Sequence, residues 1–429
     1  MDRNRVALSI VLALTLVGAV IVATRNPDVE TTQEIQVEEK PPVRIGVVSP
    51  TQESDPGYRF LAQLAESEIN AFCNESGIKY NFEFVFGCAC GMAQEAQDET
   101  RRLHGLGANL SVGYAWSSQL CASYNGFGEE HGMSVISTGS TSWSSCCRKE
   151  DRAFRLHPYE GELLAPAALM IHSRGLTDVV VLQRGDSWGD FMSEGFCEDF
   201  EDLGGRVASV IRYDGFIWSE QEEHEGAIRK FMEDAESSVK GVVGEQGVEG
   251  AAVLALSFTE MAEILQMAEE YPVLLNVTWF SPECLSDPSP IIKNASEAAV
   301  EVGIFACRVH MPDNHIYRRI GEAYREEFGE PLGFIEANVY DGCWIMALSV
   351  IEANSTEGVD VCEVLPDVAT RYSGVTGRCI LDEYGDRIGM NYDIWGYFDV
   401  DGACESLRCG TYRYESDEIV WAPDPVPDA

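Results

Sequence analysis

NLSVGYAWSSQL (Asn109–Leu120), CASYNGFGEEHG (Cys121–Gly132) and MSVISTGSTSW (Met133–Trp143) run on as one continuous stretch. The pattern reads as a buried strand, a small polar turn, a helix, a second buried strand and a second small polar turn. Both turns follow the carboxyl end of a strand, and both are rich in Ser and Thr. In an open parallel α/β sheet that edge is where ligands bind. Hydroxyls and uncrowded backbone N–H groups offer donors there without filling the space a ligand needs. Ser117, Ser118, Ser140 and Thr141 are therefore expected to face a small polar or anionic molecule, with helix and turn capping as their other reading.

Outward from this stretch the alternation of strand and helix continues in both directions. VRIGVVSP opens at Val43, NFEFVF follows a helix over Tyr58–Cys73, and FRLHP leads to Pro158, a crossing point in the chain. A second run holds DVVVLQRG, VASVIRYD, AAVLALSF and LNVTWFSPE, with helices between them. VGIFACR and the helices His315–Phe328, Glu336–Ala353 and Val361–Tyr372 read as a return to the first lobe. From Gly377 onward the pattern is short strands and turns. The expected fold is α/β: two doubly wound lobes with a hinge and an interlobe cleft. Residues 43–157 plus 284–376 form lobe 1, and 158–283 plus 377–429 form lobe 2.

Composition bounds the function. With 429 residues, 45% of them hydrophobic, the chain can fill two cores. A net charge of −41 excludes a phosphate-backbone partner, so no nucleic acid is expected, and suits solubility in a salty medium. Arg3 and Arg5 precede an uncharged run, Val6–Ala23, close to the roughly 20 apolar residues that cross a bilayer. Residues 1–24 read as an N-terminal transmembrane helix that places the rest outside the cytoplasm. The other reading is a cleaved signal segment. Residues 25–42 are an acidic tether. In an exported chain the 14 cysteines suggest disulfides, locally Cys404 with Cys409, and Cys88 or Cys90 with Cys73 or Cys121. The vicinal Cys146 and Cys147 are expected to pair outward. Free thiols are the alternative. Zinc is disfavoured, because no CxxC occurs and the seven histidines do not cluster with cysteine.

No GxSxG, phosphate loop or strand-linked GxGxxG occurs, and 71 acidic residues make any acid–base pair arbitrary. No catalytic residue, cofactor or metal is expected. Strand ends in the second half add Trp188 as an apolar wall, Ser257 and Phe258, and Glu283 as a fixed charge for an ammonium group. Each also has a bland reading: core packing for Trp188, one more surface acid for Glu283.

The ordered set RIGVVSP, SVGYAWSS, GMSVISTGSTS, FRLHP, DVVVLQRGDSWGDFMSEGFCEDFEDLGG, TWFSPECL, NVYDGCWIMALSVIEA and TGRCILDEYGDRIGMNYDIWGYF spans about Val43–Phe398. It resembles the type I periplasmic binding proteins, within them the leucine/isoleucine/valine-binding-protein-like receptors of ABC importers. The resemblance implies a venus-flytrap receptor whose lobes close on ligand. Ser117 matches the hydroxyl after the strand, Ser140 and Thr141 the carboxylate-binding turn, and Glu283 the acid that holds the ammonium. Trp188 stands where the family has Tyr before Gly, and Ser257 or Phe258 stands near an aromatic position. These departures reshape the side-chain pocket. The implied partners are a small-molecule ligand (an amino acid or related solute), ABC permease subunits, and the membrane through the N-terminal helix. A sensing ectodomain acting through a separate signalling partner and an amidase-type enzyme are the alternatives.

Overall fold

The computed structural model describes residues 42–142, 148–218, 221–258, 260–282 and 289–426. The apolar run Val6–Ala23, the tether up to residue 41, Cys146, Cys147 and Glu283 lie outside the described residues.

Two sheets organise the chain. The first takes β1 (Val43–Ser49), β2 (Phe82–Cys88), β3 (Leu110–Gly113), β4 (Ser134–Ser137) and β5 (Ala153–Pro158). Late in the chain, β13 (Ile380–Leu381) and β14 (Asp386–Ile388) extend it. Its strand order is β13-β14-β5-β4-β3-β1-β2, and only the β13–β14 pair is antiparallel. The second sheet takes β6 (Asp178–Arg184), β7 (Arg206–Tyr213), β8 (Ala251–Leu256), β9 (Thr278–Ser281) and β10 (Phe305–Val309). It adds an antiparallel meander of β15 (Tyr392–Val400), β16 (Ala403–Arg413) and β17 (Glu418–Val426). Its order is β17-β16-β15-β10-β9-β8-β6-β7. A two-residue ribbon, β11 (Ser373–Gly374) with β12 (Gly377–Arg378), completes the strands.

The central parallel strands β3, β4 and β8 are buried on both faces, as a sheet covered on both sides requires, whereas the edge strand β7 alternates between exposed and half-buried residues. In the first lobe the helices Asp55–Glu75, His315–Phe328, Phe334–Ala353 and Gly358–Arg371 bury one face. Ala93–Gly105 and Ser117–Ser123 bury the other. In the second lobe Gln221–Gln246, Met261–Ala268 and Ser296–Val302 oppose Leu164–His172 and Ser187–Asp202.

The chain passes between the sheets after Pro158, after Val309, and between Ile388 and Tyr392. Two expected assignments change as a result. VGIFACR is β10 and pairs with β9 and β15, so it stays in the second sheet rather than returning to the first. Apolar on both sides, it would fit either core. Residues 380–388, assigned to lobe 2, join the first sheet instead. The C-terminal part is also more regular than short strands and turns: β15–β17 run nine to eleven residues each.

The helix Phe334–Ala353 is long and apolar enough to cross a membrane, but 67% of its apolar window is buried in the first core. Asp341 is fully buried on it. Its carboxylate accepts from the Val375 and Thr376 N–H groups at 2.8 Å each, from Thr376 Oγ1 at 2.6 Å and from Tyr372 Oη at 2.8 Å. Four donors compensate a charge that burial alone would expel, although desolvation still pushes the carboxyl up. At the helix start, Phe334 packs against the second lobe's core and lies 5.4 Å from both the His157 ring and the Arg387 guanidinium.

Among the described residues the expected local disulfides do not form. Cys73, Cys88, Cys90, Cys404 and Cys409 are all unbridged. Cys404 and Cys409 lie five residues apart on one strand, β16. That separates their Cα atoms by about 16 Å and puts them on opposite faces; a disulfide needs less than about 7 Å. Cys73 lies where its helix leads into β2, and Cys88 closes that strand about 20 Å further on.

Candidate functional site

The first hydroxyl turn begins with a forced kink. Gly113, the last residue of β3, has φ +128°, and a Cβ there would lie 2.0 Å from the Val48 carbonyl oxygen. Only glycine fits. Tyr114 follows at φ +51°, buried, with its hydroxyl 2.9 Å from that of Thr100. Such a strained non-glycine residue persists only when its surroundings hold it. The kink swings Ala115 and Trp116 off the sheet and starts the helix at Ser117. Trp116, not Ser117, occupies the N-cap, so Ser117 is not spent on its own helix.

Ser117 instead joins the two turns. Its Oγ accepts from Ser140 Oγ at 3.0 Å and from the Ser142 N–H at 3.2 Å. A hydroxyl has two acceptor sites and one proton. Both acceptor sites are filled from the second turn, so the Ser117 O–H is left to donate. Ser140 is buried, and its proton is committed to Ser117. The rest of the second turn is pinned too. Ser137 Oγ donates to the Tyr114 carbonyl at 2.9 Å and accepts from the Ser140 N–H at 3.1 Å. Thr138 shares a hydrogen bond with Tyr58 at 2.8 Å, and its carbonyl accepts from Asn338 at 2.9 Å. Ser118 is exposed and Thr141 half-buried.

Beneath these turns sits a buried ion pair. Arg155 Nε and Nη2 each donate to the Asp386 carboxylate at 2.5 Å, and both side chains are 2% exposed. The third arm of the guanidinium, Nη1, donates to the Ser142 carbonyl at 2.7 Å. One fork thus ties β5 to β14 and fixes the turn that feeds Ser117.

The second cluster lies at the carboxyl ends of β6, β7 and β8. Asp186 caps the helix Ser187–Asp202, accepting from the Gly189 N–H at 3.0 Å. A Cβ on Gly189 would lie 2.0 Å from the Arg184 carbonyl oxygen, so the residue after Trp188 must be glycine. Trp188 is half-buried, with its ring 4.5 Å from that of Phe258. The Arg184 guanidinium lies 4.9 Å over Phe258 and pairs with Asp186 and Glu260, each at 2.6 Å. Glu260 also accepts from Tyr213 Oη at 2.9 Å, and Tyr213 meets Ser257 at 2.7 Å. Burial, with the Glu260 charge beside it, holds the Tyr213 phenol well above its usual range.

The seven expected residues among those described therefore divide, Glu283 lying outside them. Ser117, Ser140 and Thr141 share one turn pair; Ser118 is beside them at the surface. Trp188 and Phe258 form one aromatic pair. Ser257 is buried with its hydroxyl engaged by Tyr213, which makes it framework rather than lining. The sequence reading missed Trp116, 45% exposed on the first turn, and the set Arg184, Tyr213 and Glu260. Arg184 ends a buried strand and obeys the same strand-end rule that found Trp188. Glu260 carried no signal that set it apart from the other acids. Among the described residues no three His, Cys, Asp or Glu side chains converge as metal ligands.

Comparison with known proteins places this geometry. Residues 62–399 match the receptor family ligand binding region. An uncharacterised protein of Methanocaldococcus jannaschii is 23% identical over 408 residues, covering 89% of this chain and 93% of its own. An ABC transporter substrate-binding protein of Desulfitobacterium hafniense, solved with Leu, superposes with a TM-score of 0.65 at 18% identity, over 86% of this chain and 100% of that one. A solute-binding protein of an ABC transporter from Rhodopseudomonas palustris, solved with 3,4-dihydroxybenzoic acid, gives 0.61 at 13% identity, over 86% and 97%. The chain belongs to the receptor family ligand binding region and has the two-lobed α/β fold of type I periplasmic binding proteins.

Proposed function

We propose that this protein is an extracytoplasmic solute-binding protein. It captures an amino acid or similar small polar solute by lobe closure and delivers it to an ABC importer. The observation that carries the reading is the Ser117 hydroxyl: accepting twice from the second turn, it keeps its proton for a ligand carboxylate. Ser118, Thr141 and the turn amides are the further donors in this reading. Trp188 and Phe258 supply the wall, and Glu283 supplies the counter-charge for an ammonium group. Closure follows because ligand binds the closed state better than the open one. The reading assigns no covalent chemistry to the site.

A second ligand class has its own support. The aromatic pair of Trp188 and Phe258, with Trp116 exposed on the first hydroxyl turn, suits an aromatic carboxylate, the class held by the R. palustris neighbour. A thermal-shift screen of amino acids, amides and aromatic acids separates the two. A true ligand at a hundredfold excess over Kd stabilises by about 2.7 kcal/mol. Glu283→Gln weakens an amino acid and leaves an aromatic acid unaffected. If no member of either class raises the melting temperature, the proposal fails.

A further inference from the structure

The turn after β2 carries Cys88-Ala89-Cys90, a pair that the ligand-binding reading leaves unused. Their sulfurs lie 3.0 Å apart, about one ångström beyond a bonded pair. The approach is built in. The Ala89, Gly91 and Met92 N–H groups donate to Ser49, Pro50 and Ala89 carbonyls at 2.8 Å each, and Cys90 takes a left-handed φ of +48° that folds the chain back. Two donors converge on Cys88 Sγ, the Cys90 N–H at 3.2 Å and the Cys90 S–H. In that arrangement the proton stays on Cys90, whose thiol is pushed up to about 11, first by the hydrogen bond to Cys88. Both residues are half-buried and line an open cavity of about 470 Å³, so a small molecule can reach them. Its charged rim holds Arg59 and Arg102 but also Glu95, Asp98 and Glu99.

We propose that Cys88 and Cys90 are a redox-active dithiol that closes to an intrachain disulfide by exchange with a small organic disulfide. The Cys88 thiolate attacks one sulfur of R–S–S–R. The Cys88–S–R bond forms, the S–S bond breaks, and one thiolate leaves. Cys90, losing its proton, attacks Cys88 Sγ; the Cys88–Cys90 bond forms and the second thiolate leaves. The organic disulfide is reduced to two thiols, which take up the two protons, and the cysteine pair is oxidised. The rim holds more acids than bases, so a neutral disulfide is the better substrate than an anionic one.

The test exposes the full chain to bis(2-hydroxyethyl) disulfide, alkylates remaining thiols, and reads the tryptic peptide Tyr80–Arg101, which holds both cysteines. The wild-type peptide should lose two hydrogens and carry neither adduct nor alkyl group. Cys90→Ser should hold a lasting adduct on Cys88, and Cys88→Ser should react several-fold more slowly at Cys90. Circular dichroism of the variants checks their fold, while the wild-type result stands without them. Two adducts on the wild-type peptide, or two thiols that both remain alkylatable, would overturn the proposal.

Discussion

Removing the Asp386 carboxylate should cost this fold more than any surface change. Asp386 and Arg155 are 2% exposed and meet through two parallel hydrogen bonds of 2.5 Å. In Asp386→Ala the guanidinium stays buried and loses both of its hydrogen bonds to the carboxylate. Breaking a buried pair from one side costs roughly 3–5 kcal/mol, because the remaining charge is uncompensated. Asp386→Asn retains one acceptor and should lose about half of that. Replacing both partners, Arg155→Met with Asp386→Leu, removes the orphaned charge and should recover most of the loss, so the two sites are strongly non-additive. The recovery should not extend to ligand binding, because Arg155 also holds the Ser142 carbonyl. Equilibrium urea unfolding, followed by circular dichroism on the two single variants and the double variant, reads the stability term. A loss below about 1 kcal/mol in Asp386→Ala would refute the reasoning, since an exposed pair gives that much.

Gly113→Ala places a Cβ 2.0 Å from the Val48 carbonyl at a φ of +128°; strain and overpacking together predict a loss of about 2–5 kcal/mol, read by the same denaturation. Trp188→Ala should weaken ligand affinity at least about tenfold by removing one wall of the aromatic pair, read by calorimetry, while the melting temperature of the free protein changes little. Glu162 gives a pH signature. Its carboxyl is pushed up to about 7, first by burial, with Asp382 and Asp386 adding repulsion. The folded state therefore binds this proton more tightly than the unfolded one. Its stabilising contribution is complete below the usual carboxylate range and is lost as pH rises through about 7. Melting curves from pH 5 to pH 8 should show that decline, and Glu162→Gln should flatten it.

How far the sequence could be read depended on the range of each interaction. The hydroxyl turns were legible because buried four-residue strands, LSVG and SVIS, stop at polar residues within one short stretch. That Ser117 links the turns, rather than capping a helix, needed the meeting of Ser117 with Ser140 and Ser142 across 23 and 25 residues. The ion pair beneath them joins residues 231 apart, and neither Arg155 in FRLHP nor Asp386 in a turn announces the other. Ser257 shows the limit of the strand-end rule: the position was found, but not that the hydroxyl serves Tyr213. β10 went to the wrong lobe because an apolar strand carries no label for its sheet. The disulfides failed for a geometric reason, since cysteine spacing along a chain does not reveal that Cys404 and Cys409 share one strand.

Isothermal titration calorimetry of wild type and Ser117→Ala, with the tightest ligand from the thermal-shift screen, tests the central claim most directly. Loss of one hydroxyl donor to a carboxylate predicts an affinity drop of about 10- to 100-fold, or roughly 1.5–3 kcal/mol. The unliganded melting temperature should fall only slightly, and the amide of the same ligand, which has no carboxylate, should be less sensitive to the substitution. Equal affinities for wild type and Ser117→Ala would contradict the claim that this hydroxyl holds the ligand.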